Sequence, residues 1–230
     1  MKRVLLKVSG EALSGEHQPI SFEKVEETAK EIKLLYDAGL QIGIVVGGGN
    51  IVRGRDTVMQ ERSRMDSMGM LSTAINTLAL QDCLERQGMP TVAMSAIAMH
   101  RFIDEYTARG ARAALDEGKV VLFACGTGCP YFSTDTASAL RALEIGADTL
   151  LMAKNIDAVY SADPKKDPNA IRYSHLTYDK VIADNLQAID LPAITMCRDN
   201  GLEILVFARS EIDKVAAGET VGTRIDGRDC

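Results

Sequence analysis

The sequence predicts an α/β fold with helices on both faces of a mostly parallel sheet. Two observations carry this. Short β-rich runs alternate with stretches of helical periodicity along the chain, which is the pattern of repeated βαβ units. The 230 residues are also 46% hydrophobic, enough apolar material for one large domain or two small lobes.

The predicted strands are Val4–Val8, Ile42–Val46, Thr91–Ser95, Val120–Ala124, Thr149–Ala153 and Glu203–Phe207. The first helix follows from Ser21 as cap, apolar residues Val25, Ala29, Ile32 and Leu35 or Tyr36 at helical spacing, and Gly39 as stop. A second is expected from about Asp66 to Gln87 before Gly88, and a third from about Asp135 to Glu144 before Gly146. No repeat or low-complexity tract interrupts the chain. The best boundary lies near Asp148 to Asn155, so a single domain of two lobes is expected, about 1–150 and about 151–230. In such sheets ligands sit beyond the carboxyl ends of the strands.

Composition narrows the function classes. A formal charge of −6 argues against broad binding to nucleic acid or an anionic membrane, so an anionic ligand has to be met by local cations and helix N-termini. Five cysteines (Cys83, Cys125, Cys129, Cys197, Cys230) without C-x-x-C spacing suggest reduced thiols and a cytoplasmic protein. The N-terminal MKRVLLKVSGEAL does not read as a signal peptide, because Lys7 interrupts its apolar run. The apolar segment Met68–Leu80 is interrupted by polar residues and is shorter than the roughly 20 residues a membrane span needs. It is expected as a helix in the core or at a subunit interface.

Four strand-end loops carry candidate chemistry. After the first strand, Lys7 precedes Ser9 and Gly10. A lysine there reaches phosphate oxygens while glycine lets backbone amides approach, or it is simply an exposed lysine. Walker A spacing is absent. After the second, Gly47, Gly48 and Gly49 leave room for an anion against backbone donors, with Arg53 four residues on. The dinucleotide fingerprint fails because Val52 occupies its third glycine position. Asp66 fits either a ribose-binding acid or a helix cap.

The third loop, GTGCPYFSTDTA, offers the Thr127, Ser133 and Thr134 hydroxyls before a helix start. Unpaired amides and the helix dipole suit phosphate there. Asp135 opposes phosphate unless a cation intervenes, which implies Mg²⁺ or a lysine partner; its other reading is a helix cap. The fourth, KNIDAVYSADP, holds Asn155, Asp157, Tyr160 and Asp163. Tyr160 could stack on a base and Asp163 could accept from an amine or ribose, or the segment is an ordinary Asx-Pro turn.

KVSGEAL, VVGGGNIVRG, DSMGM, GTGCPYFSTDTA, MAKNIDAVYSADP and AIDLPA occur in this order over nearly the whole chain. In this respect the chain resembles the bacterial uridylate kinases of the amino acid kinase superfamily. The resemblance implies an αβα sandwich that transfers the γ-phosphoryl group of ATP, with Mg²⁺, to UMP in pyrimidine nucleotide biosynthesis. By the family pattern Lys7, Ser9, Gly10, Gly49 and Arg53 contact ATP, with Asn155, Tyr160 and Asp163 on its adenosine half. Gly48, Asp66 and the loop Thr127, Gly128, Cys129, Pro130, Tyr131, Phe132, Ser133 and Thr134 would hold UMP. Lys7, Asp135 and Asp190 would form the catalytic set, with no dedicated protein metal site. A homohexamer activated by GTP and inhibited by UTP is also implied.

Three departures stand out. Cys129 occupies a position where the family usually has Asn. KNID is one residue shorter than the KNxVDG form and has Ala158 in place of Gly. SGEHQPIS lacks a Gly-Phe-Gly pattern. The rival readings are a superfamily kinase acting on a carboxylate or carbamate, and a non-catalytic nucleotide-binding or storage homologue. A dinucleotide-dependent dehydrogenase is disfavoured because the third fingerprint glycine and a hydride-transfer dyad are missing.

Overall fold

The computed structural model describes residues 1–52, 61–186 and 189–228. Its centre is a nine-stranded sheet. The strands are β1 (Arg3–Val8), β2 (Gln41–Val46), β3 (Thr91–Ser95), β4 (Asp104–Glu105), β5 (Val120–Ala124), β6 (Thr149–Lys154), β9 (His175–Thr177), β10 (Glu203–Ala208) and β11 (Thr223–Asp226). A separate antiparallel ribbon joins β7 (Val159–Tyr160) to β8 (Arg172–Tyr173). The sheet order is β4-β3-β5-β2-β1-β6-β10-β11-β9. Every neighbouring pair is parallel except β10 with β11. All six strands expected from the sequence are present, each within two residues of its expected ends.

Among the described residues there are seven α-helices, α1 (Phe22–Asp37), α2 (Arg62–Arg86), α3 (Ala108–Asp116), α4 (Thr134–Ile145), α5 (Tyr178–Ala183), α6 (Leu191–Asn200) and α7 (Ile212–Ala216), and two short 3₁₀ helices, Gly10–Leu13 and Arg209–Glu211. Alternation along each strand sends its side chains to two cores. Val4, Leu6 and Val8 of β1 pack with Val25, Ile32 and Leu35 of α1, Leu80 and Leu84 of α2 and Val215 of α7. Leu5 of the same strand packs on the opposite face with Ala139 and Ile145 of α4, Leu115 of α3 and Ile194 of α6. The result is the helix–sheet–helix sandwich that was expected.

α1 forms as its sequence dictates. Ser21 accepts from the Lys24 amide, Val25, Ala29, Ile32 and Leu35 are buried, and Gly39 follows the helix at φ +81°. α2 differs from expectation by starting four residues earlier, at Arg62, behind Glu61, which makes no side-chain cap bond. Asp66 therefore lies in the second turn and is not the cap. The polar opening turn Arg62–Met65 carries no capping signature, and that is why sequence patterning placed the start too late.

The topology also places the site. β1 lies between β2 and β6, and the chain departs from it in opposite directions along the sheet. This reversal opens a crevice at the carboxyl ends of β1, β2 and β6. Strands from both sides of residue 150 share the one sheet, with β1 paired to β6 from Val4–Thr149 to Lys7–Met152.

Candidate active site

The carboxyl end of β1 brings Lys7 to the crevice, and the start of α4 brings Asp135 to meet it. Lys7 Nζ lies 3.0 Å from Asp135 Oδ1, with the two side chains 14% and 16% exposed. Lys154, at the carboxyl end of β6, approaches the other oxygen, Oδ2, at 3.7 Å. One carboxylate thus bridges two ammonium groups from adjacent strands. Burial pushes the Lys154 ammonium below the ordinary lysine range, and the charge of Asp135 opposes that shift. Lys154 was not singled out by sequence reasoning, although it carries the same signal as Lys7, a lysine at the end of an apolar strand.

Three cavities meet at these groups. The largest of the three, about 650 Å³, is lined by Lys7, Ser9, Lys154 and Asn155 together with Lys24, Glu31 and Arg209. A second, about 430 Å³, is lined by Lys7, Ser9, Gly10, the Gly47–Gly49 strand end, Asp66, Thr73, and Gly126, Thr127, Cys129, Phe132, Ser133 and Thr134 of the third loop. The third, about 460 Å³, has Lys154, Tyr160, Asp163, Pro164 and Leu186 in its wall. Lys7 is common to the first and second, and Lys154 to the first and third.

The glycines of the second cavity are set by close approach. A Cβ on Gly48 would stand 2.6 Å from the Gly69 carbonyl oxygen of α2, and one on Gly10 would stand 2.6 Å from the Gly47 carbonyl oxygen. Buried Asn76 of α2 donates to that Gly47 carbonyl at 2.8 Å and pairs with Asn50. This amide pair fixes the backbone of the glycine run, and neither residue was picked out from the sequence.

The loop from Gly126 to Thr134 is held at several points. Cys125, at φ +63°, donates its amide to Thr73 Oγ1 at 2.8 Å. Tyr131, at φ +70°, donates its amide to Asp66 Oδ2 at 2.7 Å. Asp66 thereby links α2 to the loop while lining the cavity between them. Ser133 caps α4, accepting from the amides of Asp135 and Thr136, and its hydroxyl also donates to Asp190. Asp190 caps α6 through the Ala193 amide at 2.9 Å and accepts from Thr136 Oγ1. Asp190 therefore ties the starts of α4 and α6 together, whereas the lysines meet Asp135. Gly128, Pro130 and Tyr131 belong to the loop but do not line the cavity.

On the other side of Lys154, Tyr160 and Asp163 share the third cavity, but Asn155 faces the first. The Tyr160 hydroxyl donates to Asp157 at 2.9 Å, and Asp157 is also paired with Arg172 at 2.8 Å. The Arg172 guanidinium holds the Asp157 carboxyl below the usual range. The aromatic ring is thus braced along the β7–β8 ribbon. Gly49 lies with Gly48 in the second cavity. Arg53 lies outside the described residues.

These elements make a strongly directional site. Cations, the α4 N-terminus and glycine-run amides converge from several sides on the space beside Lys7, a setting for phosphate-sized anions. Flanking it are two separate cavities, one with a carboxylate and loop hydroxyls, the other with an aromatic ring and a carboxylate. Among the described residues no group of three or more His, Cys, Asp and Glu is placed to hold a metal ion, and no described helix is long and apolar enough to cross a membrane.

The family model of the amino acid kinase family matches residues 2–208. A UMP kinase from Bacillus anthracis superposes with a TM-score of 0.95 at 35% identity, covering 99% of this chain and 97% of that one. A UMP kinase from Ureaplasma parvum gives 0.91 at 34% identity with 98% of each chain covered. A uridylate kinase from Archaeoglobus fulgidus gives 0.74 at 29% identity, covering 98% of this chain and all of that one.

The contact at Gly48 yields a test independent of activity. Gly48→Ala should lower stability by about 1–3 kcal/mol, the usual cost of overpacking, seen as a reduced thermal unfolding midpoint. An unchanged midpoint would show that α2 does not press on the glycine run.

Proposed function

The chain belongs to the amino acid kinase family, on its uridylate kinase branch, and on that premise we propose that it transfers the γ-phosphoryl group of ATP to UMP, giving ADP and UDP. The observation that carries this reading is the Lys7–Asp135–Lys154 bridge at the junction of the three cavities. In this reading UMP occupies the second cavity, with Asp66 accepting from its ribose hydroxyls and the Thr127–Thr134 loop around its phosphate. Adenosine occupies the third cavity, against Tyr160 and Asp163. The triphosphate passes Lys154 to reach the transfer point beside Lys7.

The chemistry needs no protein nucleophile. An oxygen of the UMP phosphate attacks the γ-phosphorus, and the bond to the β,γ-bridging oxygen breaks with its electron pair leaving on ADP. The protein aligns the two anions and neutralises the charge that builds on the transferring oxygens. Lys7 acts at the transfer point, where it reaches the ATP phosphates as well as the acceptor, and Lys154 acts from the donor side. Asp135 keeps both ammonium groups aimed and offsets their mutual repulsion. Ser9 and the amides near Gly10 and Gly47–Gly49 supply further donors.

Mg²⁺ belongs to the same proposal. Both oxygens of Asp135 face ammonium groups, so the donor set fits an ion carried by the ATP phosphates better than one held in a protein cage. When bound it would supply neutralisation of the phosphate charge. The reading also includes self-association. Met68, Leu71, Ile75 and Leu78 form a stripe on α2 that is 38–55% exposed in the single chain, an apolar face suited to a second copy. The sixfold assembly, GTP activation, UTP inhibition and cytoplasmic location implied by the family resemblance are carried as part of this proposal.

A coupled ADP-release assay with Mg-ATP and a panel of UMP, CMP, AMP, carbamate and acetylglutamate tests the reaction. Turnover with UMP above the others is expected; activity confined to CMP or to a carboxylate overturns the acceptor assignment. In the same assay Lys7→Ala should reduce kcat by roughly 10²–10³, the effect of losing one preorganised donor. Near-normal turnover of the folded variant would remove Lys7 from the catalytic set.

A further inference from the structure

We propose that Arg141 is a positioning residue for UMP, holding the acceptor loop from behind while touching neither nucleotide. This rests on the reading of the second cavity as the UMP site. Arg141 lies on α4, is only 4% exposed and lines none of the three cavities. Its Nη2 donates to the Gly126 carbonyl at 3.1 Å. Its Nη1 pairs with Glu144 one turn further along the helix.

A buried guanidinium needs such compensation, and it has more. Its carbon stands 4.0 Å above the centre of the Tyr106 ring. The Tyr106 hydroxyl donates to the same Glu144 carboxylate at 2.6 Å, and its ring meets Phe123 of β5 edge to face at 5.6 Å. Tyr106 and Glu144, with Phe123 behind Tyr106, therefore leave the Arg141 side chain little freedom, and its Nη2 is aimed at one loop carbonyl.

That carbonyl sits where the loop turns. Cys125 and Gly126 are consecutive left-handed residues, at φ +63° and +57°. The conformation is unfavourable at Cys125 by roughly 1–2 kcal/mol and persists only where surrounding contacts hold it. Two other restraints on the loop come from Thr73 and Asp66, which both line the UMP cavity. A bound nucleotide competes for Asp66, because a ribose hydroxyl and the Tyr131 amide call on the same carboxylate. Arg141 faces no ligand, so it keeps the loop in place while the Asp66 contact is exchanged.

The test is steady-state kinetics of Arg141→Met and Arg141→Lys. Arg141→Met should raise the KM for UMP roughly tenfold, about what losing one hydrogen bond to a charged group does, with the KM for ATP within about twofold. Arg141→Lys should recover part of the loss, since its ammonium can reach one of the two partners. An unchanged KM for UMP in folded Arg141→Met overturns the proposal, as does an equal rise for both substrates. If Arg141→Met does not fold, Tyr106→Phe removes only the hydroxyl that orients Glu144. It should raise the KM for UMP alone by a few-fold, and no change there overturns the proposal equally. A parent protein without UMP turnover defeats the acceptor reading itself, whereas an active parent with indifferent variants defeats only the role of Arg141.

Discussion

One carboxylate holds two lysines together at the centre of this protein. Asp135 faces Lys7 and Lys154 with its two oxygens, at 3.0 and 3.7 Å, where the three side chains are 14–25% exposed. In so sheltered a place each ion is costly to strip of water and strongly dependent on its partner. Removing the carboxylate would leave two like charges side by side. Keeping it produces an aimed trio with one positive charge in excess, which presents two ammonium groups to any phosphate lying between the lysines.

The fold delivers this trio by topology. β1 and β6 are parallel neighbours, and Lys7 and Lys154 leave their carboxyl ends two ladder steps apart, since Lys7 pairs with Met152. α4 starts where Asp135, in its first turn, reaches both. Ser133 and Asp190 fix that start by capping α4 and α6 and bonding to each other. Because β1 is the point where the sheet reverses direction, one cavity opens on each side of it, and the paired lysines stand between them. Separate acceptor and donor sites are therefore a consequence of strand order, and loop identity then decides which nucleotide each accepts.

Much of this was legible in the sequence. The six strands are dense in β-branched and apolar residues, α1 announces itself by its Ser21 cap and Gly39, and α4 by its terminal Gly146, all local signals, although the cap of α4 is Ser133 and not Asp135. Lys7, the glycine run and Asp135 were legible for the same reason, since each sits beside a strand or helix end. The features that escaped depend on distant partners. Lys154 carries the same strand-end signal as Lys7, but its pairing shows only through Asp135, nineteen positions earlier in the chain. Arg141 looks like an ordinary helix cation until Tyr106 and Gly126 close around it. Asn76 resembles any polar residue in an apolar helix until it is seen to bind Gly47. Asp66 was open to two readings, a ribose-binding acid or a helix cap, and only the cap is excluded. An acid before an apolar run reads as a cap, but an uncapped polar turn precedes it and frees its carboxylate for the loop.

The most direct measurement is the turnover of Asp135→Asn with saturating Mg-ATP and UMP, beside its affinity for UMP in the absence of ATP. An amide keeps the shape but not the charge that holds the lysines. The account predicts a kcat lower by roughly 10²–10³ with UMP affinity within a few-fold of the parent, because Asp135 organises the transfer and not the acceptor pocket. Turnover close to that of the parent in a folded variant would contradict it and would move the centre of the site elsewhere.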